Sequence, residues 1–200
     1  MFRLGWETYR HVVHEVVSPA RARRAFGIAV VCTVLAAVVM TALEAAVHWT
    51  GHDAPGAAVV IALLSLGVGS VAFACCRLTA PVAPNATING REVRPDTARS
   101  LRWSVQRYVG ARPPAIAPED REAVLVDTAL FRRGVTLDLT RGTALIGGGL
   151  LAATGLTVVG APPLWLGFVV IYGANLPATL LRLGRAERAR RAAEALAPRP

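Results

Sequence analysis

The sequence predicts an all-α integral membrane protein with four transmembrane helices in two hairpins (2+2), and with amphipathic cytoplasmic helices at the N-terminus and in the central loop. Three observations predict this class. The 200-residue chain is 54% hydrophobic with a mean hydropathy of +0.44, yet it carries a net charge of +9. It contains four apolar runs of about 20 residues, the length that crosses a hydrocarbon core. Its basic residues are all arginine, and they lie outside those runs.

Residues 1–24 are predicted to form a cytoplasmic amphipathic helix and a basic connector. One face of the helix is apolar because the following side chains recur at steps of four and three: Phe2, Trp6, Tyr9, Val13 and Val16. Aromatic residues on such a face suit the headgroup boundary of a membrane. Pro19 is expected to end the helix, and three arginines then anchor the chain to the surface: Arg21, Arg23 and Arg24. The alternative is that this helix packs on the protein's own cytoplasmic loop.

The first transmembrane hairpin is predicted over residues 25–78, with spans at about 25–47 and 56–76. The first span is longer than the apolar core of a signal peptide, which favours an uncleaved anchor. Small residues recur at every fourth position of this span: Ala25, Ala29, Thr33, Ala37, Thr41 and Ala45. Such ridges allow helices to approach closely in lipid.

The central segment, residues 79–141, is predicted to be a cytoplasmic loop with two helices, at about 96–109 and 118–133. Leu101, Val105 and Tyr108 form the apolar stripe of the first. The second has Pro118 at its start and Gly134 after its end, in the order of helix start and stop signals. Because two short helices bury little core, we expect them to pack on the membrane face, the N-terminal helix or a partner.

The second hairpin is predicted over residues 142–181, with spans at about 142–160 and 163–181. The tail, residues 182–200, is predicted to extend the last span as a charged, alanine-rich and solvated cytoplasmic helix. A surface helix, a connector and a hairpin thus occur twice, although the two halves share no residue-level identity. The arrangement is compatible with a parallel 2+2 repeat.

The arginines predict the orientation of the chain. Five lie in residues 1–24, eleven in 77–141 and six in 182–200, whereas the loops at 48–55 and 161–162 contain none. Under the positive-inside rule both termini and the central loop are cytoplasmic. The exclusive use of arginine as the basic residue indicates a GC-rich genome. The predicted location is therefore a bacterial inner membrane. The expected partners are the bilayer, with anionic headgroups on the cytoplasmic side, and a second copy or a larger membrane complex; nucleic acid is not expected.

A polar group marks the outer end of the first span. Glu44, His48 and His52 are spaced at i, i+4 and i+8, and Asp53 follows. These four residues are candidate metal ligands. The favoured interpretation is an outer polar rim, because Gly51 is expected to break the helix before His52, while protonated His48 can pair with Glu44 on one helix face.

Glu44 and Asn175 are the strongly polar residues within the predicted spans. Pro177 is expected to kink the fourth span and to free a carbonyl, and the Asn175 amide can satisfy that group or a neighbouring one. The two polar residues lie at different depths, which disfavours one shared site at the midplane.

Recognisable catalytic chemistry is absent from the sequence. It contains no glycine-rich phosphate loop, H-E-x-x-H, C-x-x-C or G-x-S-x-G motif, and Cys32, Cys75 and Cys76 match no zinc spacing. We therefore expect no cofactor and no catalytic residue. The favoured function is an accessory, scaffold or regulatory subunit acting through helix and protein contacts. One alternative is a channel or transporter component with Glu44 and Asn175 on a polar path, and another is an outer-face metal-dependent enzyme.

Overall fold

The structure is a computed structural model that describes residues 1–79, 87–88, 91–92, 101, 103–162 and 164–196. Its helices are α1 (Phe2–Val16), α2 (Pro19–Val47), α3 (Ala54–Cys75), α4 (Trp103–Gln106), α5 (Arg121–Val158) and α6 (Leu164–Glu194). Short 3-10 turns cover Arg107–Val109 and Pro118–Asp120. One two-residue antiparallel pairing joins Thr87–Ile88 (β1) to Arg91–Glu92 (β2). The predicted all-helical class is therefore confirmed.

Two of the helices are long and apolar enough to cross a membrane. The most apolar windows of α2 and α3 have mean hydropathies of 2.5 and 2.4, and 6% and 39% of these windows are buried. Within the part of the chain that the structure describes, they are the two helices that meet this criterion. They allow a membrane location.

The chain divides into two compact units. The apolar unit comprises Pro19–Leu78 and Thr140–Leu176, and the arginine-rich unit comprises Met1–Ser18, Thr79–Leu139 and Pro177–Pro200. Helices α5 and α6 each contribute one part to each unit.

Small residues bring the helices of the apolar unit into close contact around α3. A Cβ atom on Gly69 would lie 2.9 Å from the carbonyl oxygen of Ala29 in α2, and one on Gly67 would lie 2.9 Å from that of Gly148 in α5. Helices can approach this closely only where a side chain is absent. The prediction that small residues allow close helix approach is confirmed at these positions.

Defined caps end the helices of the apolar unit. Arg141 Nη2 donates to the carbonyl oxygen of Cys76 at 3.1 Å, which places a cation at the carboxyl end of α3, where the helix dipole is negative. After α5, Gly160 has a φ of 90°, and the amide of Ala161 donates to Leu156 O at 2.9 Å. These are the features of a Schellman cap, and they turn the chain towards α6.

In the arginine-rich unit, α1 packs on α6 through glycine. A Cβ atom on Gly5 would overlap the carbonyl of Leu180, and one on Gly184 would overlap that of Met1. The buried face of α1 contains Gly5, Thr8, Val12 and Val16. Helix α1 therefore packs on its own chain through a face beside the predicted aromatic stripe, and these glycine contacts are with α6, whereas the alternative interpretation named the central loop.

The core of the arginine-rich unit joins the central loop to the tail. It consists of Val105, Tyr108, Val124, Ala189 and Ala193, with Leu101 packed against it. The predicted stripe of Leu101, Val105 and Tyr108 thus faces the core. The prediction that the tail is solvated is wrong, because successive turns of α6 bury alanines, and Ala189 and Ala193 pack in this core.

Three helix boundaries differ from the expectations. Pro19 begins α2 instead of merely ending α1. Helix α5 continues through Gly134, since residues 134–137 are buried and a helix keeps their backbone groups hydrogen-bonded. Of the helix predicted at 96–109, residues 96–100 and 102 lie outside the described residues. Residues 103–109 form α4 and a 3-10 turn, and Leu101 belongs to neither.

Candidate functional site

The polar group at the outer end of α2 lies in a tight turn. Helix α2 ends at Val47 because His48 adopts a φ of 47° and Gly51 a φ of 65°, both outside the helical region. The helix therefore stops before His52, as Gly51 suggested, and the even spacing of Glu44, His48 and His52 does not become a single helix face.

The Glu44 carboxylate closes this turn. Its Oε2 accepts the backbone amide of Thr50 at 3.0 Å, and its Oε1 accepts the Thr50 hydroxyl at 3.0 Å. Oε1 also lies 3.8 Å from Nδ1 of the largely exposed His48, so the two groups are close enough to form an ion pair when His48 is protonated. Both carboxylate oxygens are thus engaged by Thr50, a residue that sequence reasoning missed.

Asp53 and His52 have separate local partners. Asp53 Oδ1 accepts the amide of Gly56 at 3.3 Å and so caps the N-terminus of α3. His52 Nδ1 lies 2.6 Å from the carbonyl oxygen of Thr50, and because a carbonyl only accepts, Nδ1 carries the proton. Within the described ranges, no group of three or more His, Cys, Asp or Glu is arranged to hold a metal ion.

An apolar groove lies beside this polar rim, between α2 and α3. Its volume is about 560 Å³. It is lined mostly by alanine, with Glu44, His48 and His52 among the lining residues. The outer part of the small-residue ridge, Thr41 and Ala45, faces this groove, whereas Ala25 and Ala29 of the same ridge are buried. The small apolar side chains of this surface can accommodate an aliphatic chain or a closely packed helix.

Asn175 lies elsewhere in the apolar unit. Its Nδ2 donates to the carbonyl oxygen of Ile171, one turn earlier in α6, at 3.2 Å. Pro177 lies inside α6, which continues past it to Glu194. The Nδ2 bond thus goes to a neighbouring carbonyl, whereas the carbonyl that Pro177 frees is that of Gly173, four residues before the proline. Asn175 does not line the groove that Glu44 lines.

The predicted surface anchors are largely accessible. Phe2 and Trp6 are 49% and 47% exposed, and the ring of Trp6 stacks on that of Tyr9 at 5.5 Å between centroids. Arg23 and Arg24 are exposed in the first turns of α2, and Arg21 is half-buried.

A buried ion pair in the arginine-rich unit was not found from the sequence. Arg132 Nη1 lies 3.2 Å from Glu187 Oε2, and their side chains are 10% and 11% exposed. Glu187 Oε1 also accepts from Arg191 at 3.0 Å. The spacing of Glu187 and Arg191 was visible in the sequence, but nothing local indicated that Arg132 would meet this carboxylate.

A second polar network fixes the start of α5. Asp120 Oδ2 accepts the Tyr108 hydroxyl at 2.7 Å and Arg107 Nη2 at 2.5 Å, and the Arg107 guanidinium lies 4.8 Å from the centre of the Tyr108 ring. The hydrogen bond from Tyr108, with that from Arg107, lowers the pKa of Asp120. The Asp120 carboxylate in turn raises the pKa of Arg107.

Comparison with known proteins does not assign the chain to a family. No protein-family model, curated protein or solved structure matches the chain.

Proposed function

We propose that this chain is a four-span protein of a bacterial inner membrane and that it serves as an accessory, scaffold or regulatory subunit. It acts through helix and protein contacts rather than by catalysis. In this proposal the spans are residues 25–47, 56–76, 142–160 and 163–181. Both termini are cytoplasmic, as is the arginine-rich unit apart from residues 177–181, which belong to the fourth span.

The observation that carries the proposal is the exposed apolar surface of α2. Large apolar side chains along this helix are exposed: Phe26 by 65%, Val31 by 57% and Val39 by 65%. Soluble monomers rarely expose contiguous apolar patches above a few hundred Å². A helix that is apolar all round and hardly buried by its own chain requires lipid or another helix around it.

The hydroxyl groups of the apolar unit are compatible with a lipid environment. Thr33, Ser70 and Thr154 each donate to the carbonyl four residues earlier on their own helix, at 2.9, 2.9 and 2.8 Å. Where water is absent, such internal bonds satisfy groups that would otherwise cost several kcal/mol on an order-of-magnitude scale.

The arginines at the start of α2 support the proposed orientation. Arg21, Arg23 and Arg24 lie near the N-terminus of the helix, where the positive end of the dipole disfavours cations. Helix stability therefore does not explain them, whereas positive-inside insertion and attraction to anionic headgroups do. The exposed rings of Phe2 and Trp6 fit the same boundary.

The interaction role follows from the surfaces that are available. The groove between α2 and α3 is apolar and open, and its small lining residues permit a neighbouring helix to approach closely. The polar groups beside it, on Glu44, Asp53 and His52, already have partners within the turn. We infer that this part of the molecule binds apolar surface and that its carboxylates maintain its shape.

Single-cysteine labelling tests the proposed topology. Cys32, Cys75 and Cys76 are replaced by alanine, and one cysteine is introduced by Ala54→Cys, Pro162→Cys or Arg112→Cys. A membrane-impermeant maleimide should label the first two variants in intact cells, and the third only after permeabilisation. Labelling of Arg112→Cys in intact cells would overturn the orientation.

Crosslinking in native membranes tests the interaction role. Full-length protein is crosslinked, solubilised in mild detergent and sized, and attached proteins are identified by mass spectrometry. A stoichiometric complex, with itself or with another membrane protein, supports the proposal. A monodisperse monomer without any crosslinked partner contradicts it.

A further inference from the structure

We propose that the arginine-rich unit contains a binding site for a phosphate-type anion, held by Arg132, Arg133 and Arg190. The site is a cavity of about 300 Å³ between α1, α5 and α6. All the residues that line it belong to this one unit, so the proposal does not depend on where the membrane lies.

The lining of the cavity is predominantly cationic. Three arginines and one carboxylate, Glu15, are its charged residues, and Val12, Ala129 and Leu130 complete the wall. Guanidinium groups present planar forks of donors that match the oxygens of phosphate in pairs. This geometry favours a phosphate group, which presents several oxygens, over a monatomic ion such as chloride.

Arg132 provides the buried part of the site. The residue is 8% exposed, and its Nε, a buried donor, has no hydrogen-bond partner among the described residues. The ion pair with Glu187 uses Nη1, which leaves other donors of the fork available. An anion in the cavity can accept from the donors of this guanidinium that Glu187 leaves unused, and such charge-assisted bonds are strong where the guanidinium is largely removed from water.

Arg133 provides a positive charge that is not paired with any described residue. Its side chain is exposed at the cavity, and the structure gives it no ion pair or hydrogen bond with any described residue. Arg190, by contrast, donates to Glu194 at 2.7 Å, so this carboxylate holds its guanidinium at the rim. The site thus combines one free arginine with two that are positioned by carboxylates.

Glu15 opposes anion binding and provides a gain-of-function test. Its carboxylate lines the cavity and lies 3.6 Å from His11 Nε2 on the exposed side of α1. Replacing it with the neutral Gln removes the negative charge from the lining and leaves the shape almost unchanged. Since Glu15 is exposed, the variant should fold normally.

The anion could come from two sources, and the experiment separates them. Full-length protein in an uncharged detergent is titrated with inorganic pyrophosphate by calorimetry. A second series uses phosphatidylcholine nanodiscs with or without phosphatidylglycerol, and follows the thermal midpoint of the protein. Saturable binding of pyrophosphate identifies a soluble phosphate ligand, whereas a response to phosphatidylglycerol alone identifies a lipid headgroup.

Variants connect either response to this cavity. Arg133→Gln should weaken binding about tenfold, the loss expected for one charge-assisted contact, while Glu15→Gln should strengthen it. Arg112→Gln removes an exposed arginine outside the cavity and should have no comparable effect. The proposal is overturned if neither probe binds, or if Arg112→Gln weakens binding as much as Arg133→Gln does. These titrations in detergent can fail while the cysteine-labelling topology holds, and the reverse is also true.

Discussion

Glu44 accepts two hydrogen bonds from Thr50, one from its backbone amide and one from its hydroxyl, both at 3.0 Å. Thr50 is 2% exposed, so the pair is sheltered from solvent. A residue group that resembles a ligand array in the sequence is therefore the closure of a helical hairpin. Its energetics can be tested without reference to any ligand.

Loss of this closure should destabilise the hairpin. Glu44→Ala leaves the Thr50 amide and hydroxyl unsatisfied and should lower the free energy of unfolding by about 2–3 kcal/mol, and Thr50→Val by about 1–2 kcal/mol. His48→Asn is the matched control, because His48 is exposed and Asn tolerates a positive φ; we expect a change within about 0.5 kcal/mol. Denaturant titration in micelles measures all three. Equal losses for Glu44→Ala and His48→Asn would show that His48, not Thr50, is the main partner.

The glycine contacts of the apolar unit predict opposite effects for two similar substitutions. Gly67→Ala places a methyl group 2.9 Å from Gly148 O and 3.1 Å from Ala152 Cβ, and the strain should cost about 1–3 kcal/mol. Gly147→Ala meets nothing within 4 Å, and should be neutral or stabilising by about 0.5–1 kcal/mol, because it removes a flexible residue from a helix. Thermal unfolding in detergent distinguishes the two. A similar loss for both variants would contradict the close approach of α3 and α5.

The buried pair of Arg132 and Glu187 should be more costly to break than the exposed one beside it. Arg132→Met leaves the Glu187 carboxylate buried with less compensation, and should lower stability by about 3–5 kcal/mol. Arg191→Gln affects a partner that is 62% exposed, and should cost less than about 1 kcal/mol. Combining Arg132→Met with Glu187→Leu should recover most of the loss, because the uncompensated charge is gone. Denaturant titration of the three variants, without added anion, provides the measurement; no recovery in the double variant would count against a buried charge as the cause.

Asp120 makes the stability of the arginine-rich unit dependent on pH. Its pKa is lowered in the folded protein, so its contribution is complete above the ordinary value near 3.8 and is lost as the pH falls through the lower folded value. Tyr108→Phe removes the hydrogen bond that is the main cause and should raise the Asp120 pKa towards the ordinary value. The stability difference between wild type and Tyr108→Phe should therefore shrink below about pH 3.8.

Unfolding midpoints measured from pH 6 to pH 2.5, roughly spanning the ordinary carboxyl range, test this dependence. Tyr172→Phe is the control, since Tyr172 is 65% exposed on α6. A constant difference between wild type and Tyr108→Phe across this range would mean that Asp120 is not the titrating group.

Part of the candidate site was predictable from local features of the sequence, and part was not. The break before His52 was predictable because Gly51 is a local conformational signal. The proximity of Glu44 and His48 was predictable from their spacing. The stronger partner, Thr50, was not, because its position depends on the positive φ of His48, which no residue type in that stretch indicated.

The helical class and the small-residue ridge of the first span could be derived from the sequence alone, because periodicity and residue size act within a few residues along one helix. The arginine distribution likewise yields a topology that the labelling experiment can test. The tertiary structure decided which surfaces those helices use. Helix α5 runs through Gly134 because burial there outweighs the local stop signal. Arg132 meets Glu187, and α1 turns Gly5 rather than Trp6 towards α6, because contacts between distant segments are selected by the packing of the whole unit rather than by local preference.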